Sequence, residues 1–385
     1  MKKSPHSETV IVHRPVVNTQ PAGPEKFRFF YDKAAPWVNR GSVYGFPMHE
    51  EMAEPTILEG ECAIGALTAL DTGSVLGVTT GKRPHAFYYH PSFYVVDLGL
   101  LAHAPADGAA IVRTHGEVVV GGWRGKSGGL FRHDAAREFG TGQEDFYSKR
   151  DPVQLIPLPG KGEGVLALAY DDAEEAVYGI TTQNRIFRLG DDAKRPQVLA
   201  RADAALAPVL VRLPDGRFLG ACEEGRLWQF RPGDRNIERL AAQAPCERGK
   251  RYVAGVASLL MASNGLVYGG TSVDGFFFSF DPASGTLVNL GKPHRQAFIR
   301  ALTEGHEGLI YGIVQEPQGL AHLFTYDPLT GGFEDLGLLS TFITVQWTPH
   351  AIGALCTGRN GELFLGESDN ISHLFVYYPP VIRKA

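Results

Sequence analysis

The chain has few cysteines, no long apolar run and no excess of positive charge, and each shortage removes a class of protein. Its four cysteines, Cys62, Cys222, Cys246 and Cys356, are scattered without a C-x-x-C pair. That spacing excludes a zinc knuckle or a dense disulfide framework and suits a reducing compartment. No stretch approaches the roughly 20 apolar residues of a membrane span. The opening MKKSPHSETVIVHRPVV is basic but lacks the apolar core of a secretory leader. As written, the chain is expected in the cytoplasm, or in the periplasm or outside the cell if a leader was removed. The formal net charge of -5 over 385 residues argues against nucleic acid as a partner.

What the chain does have is turns, with 46 Gly and 25 Pro, as many short strands require. Seven segments share an apolar strand ending in Gly: SVLGVTT, EVVVGGW, AVYGITT, RFLGACE, LVYGGTS, LIYGIVQ and LFLGESD. Their glycines, Gly77, Gly121, Gly179, Gly220, Gly269, Gly312 and Gly366, recur at about fifty residues, the length of one four-stranded propeller blade. Tight-turn dipeptides such as Asp215-Gly216, Asn264-Gly265 and Asn360-Gly361 precede the strands. After each comes a second copied strand: HAFYYHP, GGLFRHD, RIFRLGD, RLWQFRP, FFFSFDP, AHLFTYDP and SHLFVYYP. Apolar stretches upstream, such as IGALTAL, VLALAY and IRALTE, supply the innermost strands, and TLVNLG and FEDLG the outermost.

The order of inner strand, turn, Gly strand, loop, Phe strand, turn and outer strand predicts an all-β, seven-bladed propeller of four-stranded antiparallel blades. The last copy stops at Tyr378-Pro379-Pro380 without a fourth strand, which would leave an exposed edge. Thr56 to Gly60, TILEG, is expected to complete it and close the ring. This divides the chain into an N-terminal extension, 1–55, packed on the propeller, and a single propeller domain, 56–385.

In such a fold the loops from Gly strand to Phe strand share a face with those from each outer strand to the next inner one. Function is expected where these loops converge on the scaffold. The cations Lys82, Arg83, Arg124, Lys126, Arg251 and Arg295 lie in them, among Trp123, Tyr252, His294, Trp347 and His350. These residues are expected to bind substrate, because a cationic, aromatic-lined face attracts polyanions and stacks flat rings.

Aligning the Phe strands places His85, Gly129, Arg185, Arg226, Phe276, His322 and His373 in one column. Its three histidines fall on consecutive blades of the closed ring. They are the candidate catalytic cluster, with Tyr147 from the long insertion after the second blade as proton donor. Equally, the three imidazoles could hold a divalent metal, with Glu316 or Glu367 as a fourth ligand. No other cofactor is indicated. Repeated use of His at a strand start is also explained by structural capping or hydrogen bonding between blades. RGKS at 124–127 fails as a phosphate loop, because Val120 stands where Gly is needed and a strand follows where a helix should.

The segments YGGTSVDGFFFSFDPASG and GESDNISHLFVYYPP resemble those of bacterial and fungal seven-bladed propellers that include the rhamnose-glucuronate and ulvan lyases. The resemblance spans roughly Cys62 to Pro380. It implies a polysaccharide lyase that cleaves a uronate-containing glycan by β-elimination, with His or Tyr as acid and base and basic residues neutralising the carboxylate. The alternative is a non-catalytic propeller that binds an acidic glycan, peptide or protein.

Overall fold

The computed structural model describes residues 38, 41–48, 57–90, 94–116, 118–135, 153–251, 255–294, 298–315, 320–341 and 347–380. Twenty-eight strands, β1 (Ser42–Pro47) to β28 (His373–Tyr378), form seven four-stranded sheets. Six sheets are built from consecutive strands. The first comprises β2 (Ala63–Ala69), β3 (Val75–Thr80), β4 (His85–His90) and β5 (Tyr94–Leu100), paired in that order. Inner strands of neighbouring sheets pack against each other around the ring, including the first against the last, so the seven-bladed propeller expected from the repeats is the fold. Among the described residues no helix is long and apolar enough to cross a membrane.

The Gly–Phe pattern has a steric cause. In β3, Gly77 stands opposite Phe87, and a Cβ there would lie 2.3 Å from the Phe87 ring. The same ring-over-glycine contact recurs at Gly121, Gly179, Gly220, Gly269 and Gly312, with Trp228 as the ring over Gly220. The last blade departs from it. There Leu365 faces Phe375, while Gly366 leaves room for Ile64 of the first blade, whose Cγ2 would be 2.3 Å from a Cβ. Gly366 therefore serves the junction between blades and is not the counterpart of Gly77.

Apolar side chains of neighbouring blades interleave to form the core. At the junction of last and first blades, Ile64, Leu67 and Phe87 pack with Phe364, Leu374 and Val376, and Met48 and Ile57 join them. Each fully buried side chain of this kind contributes roughly 1.5–3 kcal/mol.

The ring closes through the N-terminal side of the chain, but not through the strand expected. β1 pairs antiparallel with β28, from Ser42 opposite Tyr378 to Pro47 opposite His373. It completes the sheet formed by β26 (Ile352–Thr357), β27 (Leu363–Glu367) and β28. Of the expected segment, Thr56 lies outside the described residues and Ile57 to Gly60 form no strand. Ile57 is buried and donates its N–H to Met48 O at 3.2 Å, and Gly60 donates to Asn370 O at 2.9 Å. TILEG thus anchors the chain across the closure without supplying the ladder. SVYGFP can be a strand despite its proline because an outermost strand need not donate on its free side.

Candidate ligand-binding site

With each inner strand followed by a hairpin, the loops between second and third strands and those leading into the next inner strand emerge on one face. The column residues sit there, and four of them are capped by a side chain of their own blade. The backbone N–H of His85 donates to Thr79 Oγ1 at 2.8 Å, that of Arg185 to Thr181 Oγ1 at 3.3 Å and that of Phe276 to Thr271 Oγ1 at 2.8 Å. In the last blade His373 N–H donates to Glu367 Oε2 at 3.0 Å. The cap belongs to the repeat, since it serves arginine and phenylalanine as well as histidine.

The imidazoles are engaged in the same local way. His85 Nδ1 lies 3.0 Å from Asp97 Oδ2, and its Nε2 lies 3.3 Å from Glu61 Oε2. Arg83 Nε donates to the other oxygen of Glu61 at 2.6 Å. Burial works to raise the Glu61 pKa, but the bonds from Arg83 and His85 outweigh it and hold the carboxyl below its usual value. His322 Nδ1 is 3.3 Å from Asp335 Oδ2, and its ring packs against His294 with centroids 4.8 Å apart. His373 Nδ1 meets Glu367 Oε2 at 3.0 Å, and Trp347 packs on its ring at 4.4 Å while donating Nε1–H to Glu367.

The shared metal site expected from His85, His322 and His373 is not formed. Among the described residues no three His, Cys, Asp or Glu side chains are arranged to hold a metal ion. Stacked sheets stand about 10 Å apart, whereas metal ligands must converge to within about 2–2.6 Å of the ion. Sequence adjacency of blades did not bring the rings together.

Of the expected cations, Arg83 and Arg124 are balanced by carboxylates, as are the neighbouring Lys250 and Lys292. Arg83 pairs with Glu61, Arg124 Nε with Asp107 at 2.8 Å, and Lys250 and Lys292 with Glu247 at 2.6 and 2.9 Å. Hydrogen bonds and charge from these lysines hold the Glu247 carboxyl down at about 2. Arg251 donates to Ala244 O at 2.6 Å. Lys82 and Lys126 are exposed. Trp123 is buried, its Nε1–H donating to Ser127 O at 2.8 Å, and its ring covers Gly129. It cannot stack a sugar in this position. His350 is exposed and its carbonyl accepts from Gln315 Nε2 at 2.9 Å. Tyr147, Tyr252, Arg295 and Glu316 lie outside the described residues.

Strand register produces a different site, on the propeller axis. In the first, third, fifth, sixth and seventh blades the inner strand breaks register between Ile64/Ala66, Val165/Ala167, Val256/Ser258, Ile299/Ala301 and Ile352/Ala354. The bulged residues are Gly65, Leu166, Ala257, Arg300 and Gly353, and all five line a cavity of about 540 Å³. In the second blade the break falls between Ala106 and Gly108 and the bulged residue is Asp107, and in the fourth it spans Leu206 to Leu210 and includes Pro208; both line the cavity. Bulges re-aim side chains in this way. Of the seven positions, five carry small or apolar residues, one carries Asp107, which is paired with Arg124, and one carries Arg300.

The cavity wall also includes Thr80, Ser272, Ser368, Asp107, Arg124 and Glu223. Arg124 is committed to Asp107, donating also to its carbonyl at 3.0 Å, and lies over Gly108, where a Cβ would meet the guanidinium at 2.9 Å. Arg300 has no carboxylate within ion-pair distance among the described residues. Its contact is with the Phe298 ring, 4.5 Å from the guanidinium carbon. Although accessible through the cavity, it is sufficiently withdrawn from water that desolvation lowers its pKa from the usual arginine value. Sequence reasoning missed Arg300, Glu223 and Asp107. The available signal was Arg in FIRALTE where the other inner strands have Gly, Ala, Leu, Pro or, in the second blade, Asp.

This fold and axial site define a class, the seven-bladed β-propellers. No protein-family model and no curated protein sequence matches the chain. Solved structures do. Virginiamycin B lyase from Staphylococcus aureus superposes with a TM-score of 0.62 at 11% identity, covering 89% of this chain and 99% of that one. A catalytically inactive variant of that enzyme with quinupristin gives 0.64 at 10% identity, covering 89% and 100%. The WD40 propeller domain of Doa1 gives 0.57 at 13% identity, covering 87% and 97%. At such identities the likeness shows the fold alone. The resemblance to polysaccharide lyases is not supported, the lyase found here being named for virginiamycin B.

Proposed function

We propose that the protein is a non-catalytic propeller that binds an acidic sugar in its axial cavity, with the sugar carboxylate held by Arg300. The observation carrying this reading is the single arginine among the seven axis-facing positions, without a carboxylate of its own among the described residues. Arginine suits a planar carboxylate because two N–H groups can engage both oxygens. The hydroxyls of Thr80, Ser272 and Ser368 in the same wall offer exchange of hydrogen bonds with sugar hydroxyls. A volume of about 540 Å³ lies within the range of small-ligand pockets. Binding is favoured over the histidine-based uronate elimination because the histidines expected to serve as its base are not at the ligand. His85 has both ring nitrogens against carboxylates, and none of His85, His322 or His373 lines the cavity.

Calorimetric titration with glucuronate and with glucose, for wild type and Arg300→Met, tests the reading. Glucuronate is expected to bind and glucose not to. Loss of a charged hydrogen-bond partner should weaken glucuronate by about 1.5–3 kcal/mol, roughly ten- to a hundredfold. Equal binding of the two sugars, or an unaffected Arg300→Met, refutes it. Ultraviolet absorbance from a conjugated double bond, developing with uronate oligosaccharides, would restore the lyase reading.

A further inference from the structure

The charged residues lining the axial cavity among those described are Asp107, Arg124, Glu223 and Arg300. The first two neutralise each other in a direct ion pair. Glu223 and Arg300 are left, one anion and one cation, both accessible. They form no ion pair with each other or with any other described residue, so each presents its charge to the cavity. Glu223 ends the second strand of the fourth blade, where it follows β15 (Phe218–Cys222), and Arg300 lies in the inner strand of the sixth, β22 (Phe298–Glu304). The fifth blade, contributing Ala257 and Ser272, stands between them. A cavity made only for an anion would be served by Arg300 alone, and a carboxylate in the same wall would oppose the ligand.

We propose that the axial ligand is a zwitterion, an acidic sugar bearing an amino group, with its carboxylate on Arg300 and its ammonium on Glu223. The proposal rests on the axial-binding reading above and adds the amine. Glu223 then has two effects on selectivity: it attracts the ammonium of the correct ligand and repels a plain uronate, which brings a second negative charge. Opposite signs for the two ligands are therefore expected from one substitution.

The test uses a matched pair, glucuronate and 2-amino-2-deoxyglucuronate, titrated into the full chain as wild type, Glu223→Gln and Arg300→Met, with melting temperatures recorded to confirm folding. The amino sugar is expected to bind wild type at least tenfold more tightly than glucuronate. Glu223→Gln should weaken the amino sugar about tenfold and strengthen glucuronate severalfold, whereas Arg300→Met should weaken both. Equal affinities in wild type, or an amine preference that persists in Glu223→Gln, overturns the zwitterion while leaving the carboxylate reading standing. Failure of Arg300→Met to weaken either sugar overturns both. Should Glu223→Gln unfold the protein, Glu223→Asp is the second variant, and an amine preference unchanged by the shorter side chain likewise counts against the proposal.

Discussion

Replacing His85 with alanine separates the structural role of the histidine column from a ligand-binding one. The substitution removes the common partner of Asp97 and Glu61, which are 8% and 5% exposed. Asp97 keeps the backbone N–H of Gly99 at 2.8 Å, and Glu61 keeps Arg83 at 2.6 Å, so neither carboxylate is wholly stranded. Leaving a buried hydrogen-bonding group without its partner costs about 1–3 kcal/mol, and His85→Ala is expected within that range, about 2 kcal/mol, because the other bonds survive. The folded-state pKa of Glu61 is depressed. Its contribution is therefore present above the unfolded value of 4.5 and is lost as pH falls through the folded one. The gap between wild type and His85→Ala should accordingly narrow on acidification. Urea unfolding at neutral and at acidic pH reads the stability, and titration with glucuronate reads the site. Unchanged stability combined with lost binding would refute the argument and return His85 to the ligand.

Three further outcomes follow from the packing. Gly179→Ala places a Cβ 2.2 Å from the Phe187 ring, where ordinary contact starts at 3.4 Å, so the ring must move about 1.2 Å; overpacking of this kind costs roughly 1–3 kcal/mol. A lowered denaturation midpoint, partly restored by Phe187→Leu, is expected, and an unchanged midpoint would contradict the steric account. Lys292→Met should raise the Glu247 pKa from about 2 toward 4.5, because one of its two lysine partners is lost. Carboxyl-resolved NMR titration measures this, and no movement would show that Lys250 suffices. Deleting residues 1–48 removes β1 and bares the edge of β28. Loss of monomer in size-exclusion chromatography is expected, whereas a monomer of unchanged melting temperature would contradict closure by Ser42–Pro47.

Periodicity alone determined the blades. A glycine beneath the Phe or Trp ring in six of the blades and a left-handed glycine such as Gly265, with φ of 86°, are demands made within one hairpin, and local demands leave a regular trace in sequence. The closing strand left a weaker one. SVYGFP pairs with residues more than three hundred positions away, and TILEG is a short apolar stretch near it without the partner. The histidine column was readable as a register but not as a site, because which atoms face an imidazole depends on Asp97, Asp335 and Glu367. The axial site was decided by tertiary structure. Arg300 and Glu223 belong to different blades, 77 residues apart in sequence, and meet one cavity because ring closure brings the blades around one axis and a one-residue bulge turns Arg300 toward it.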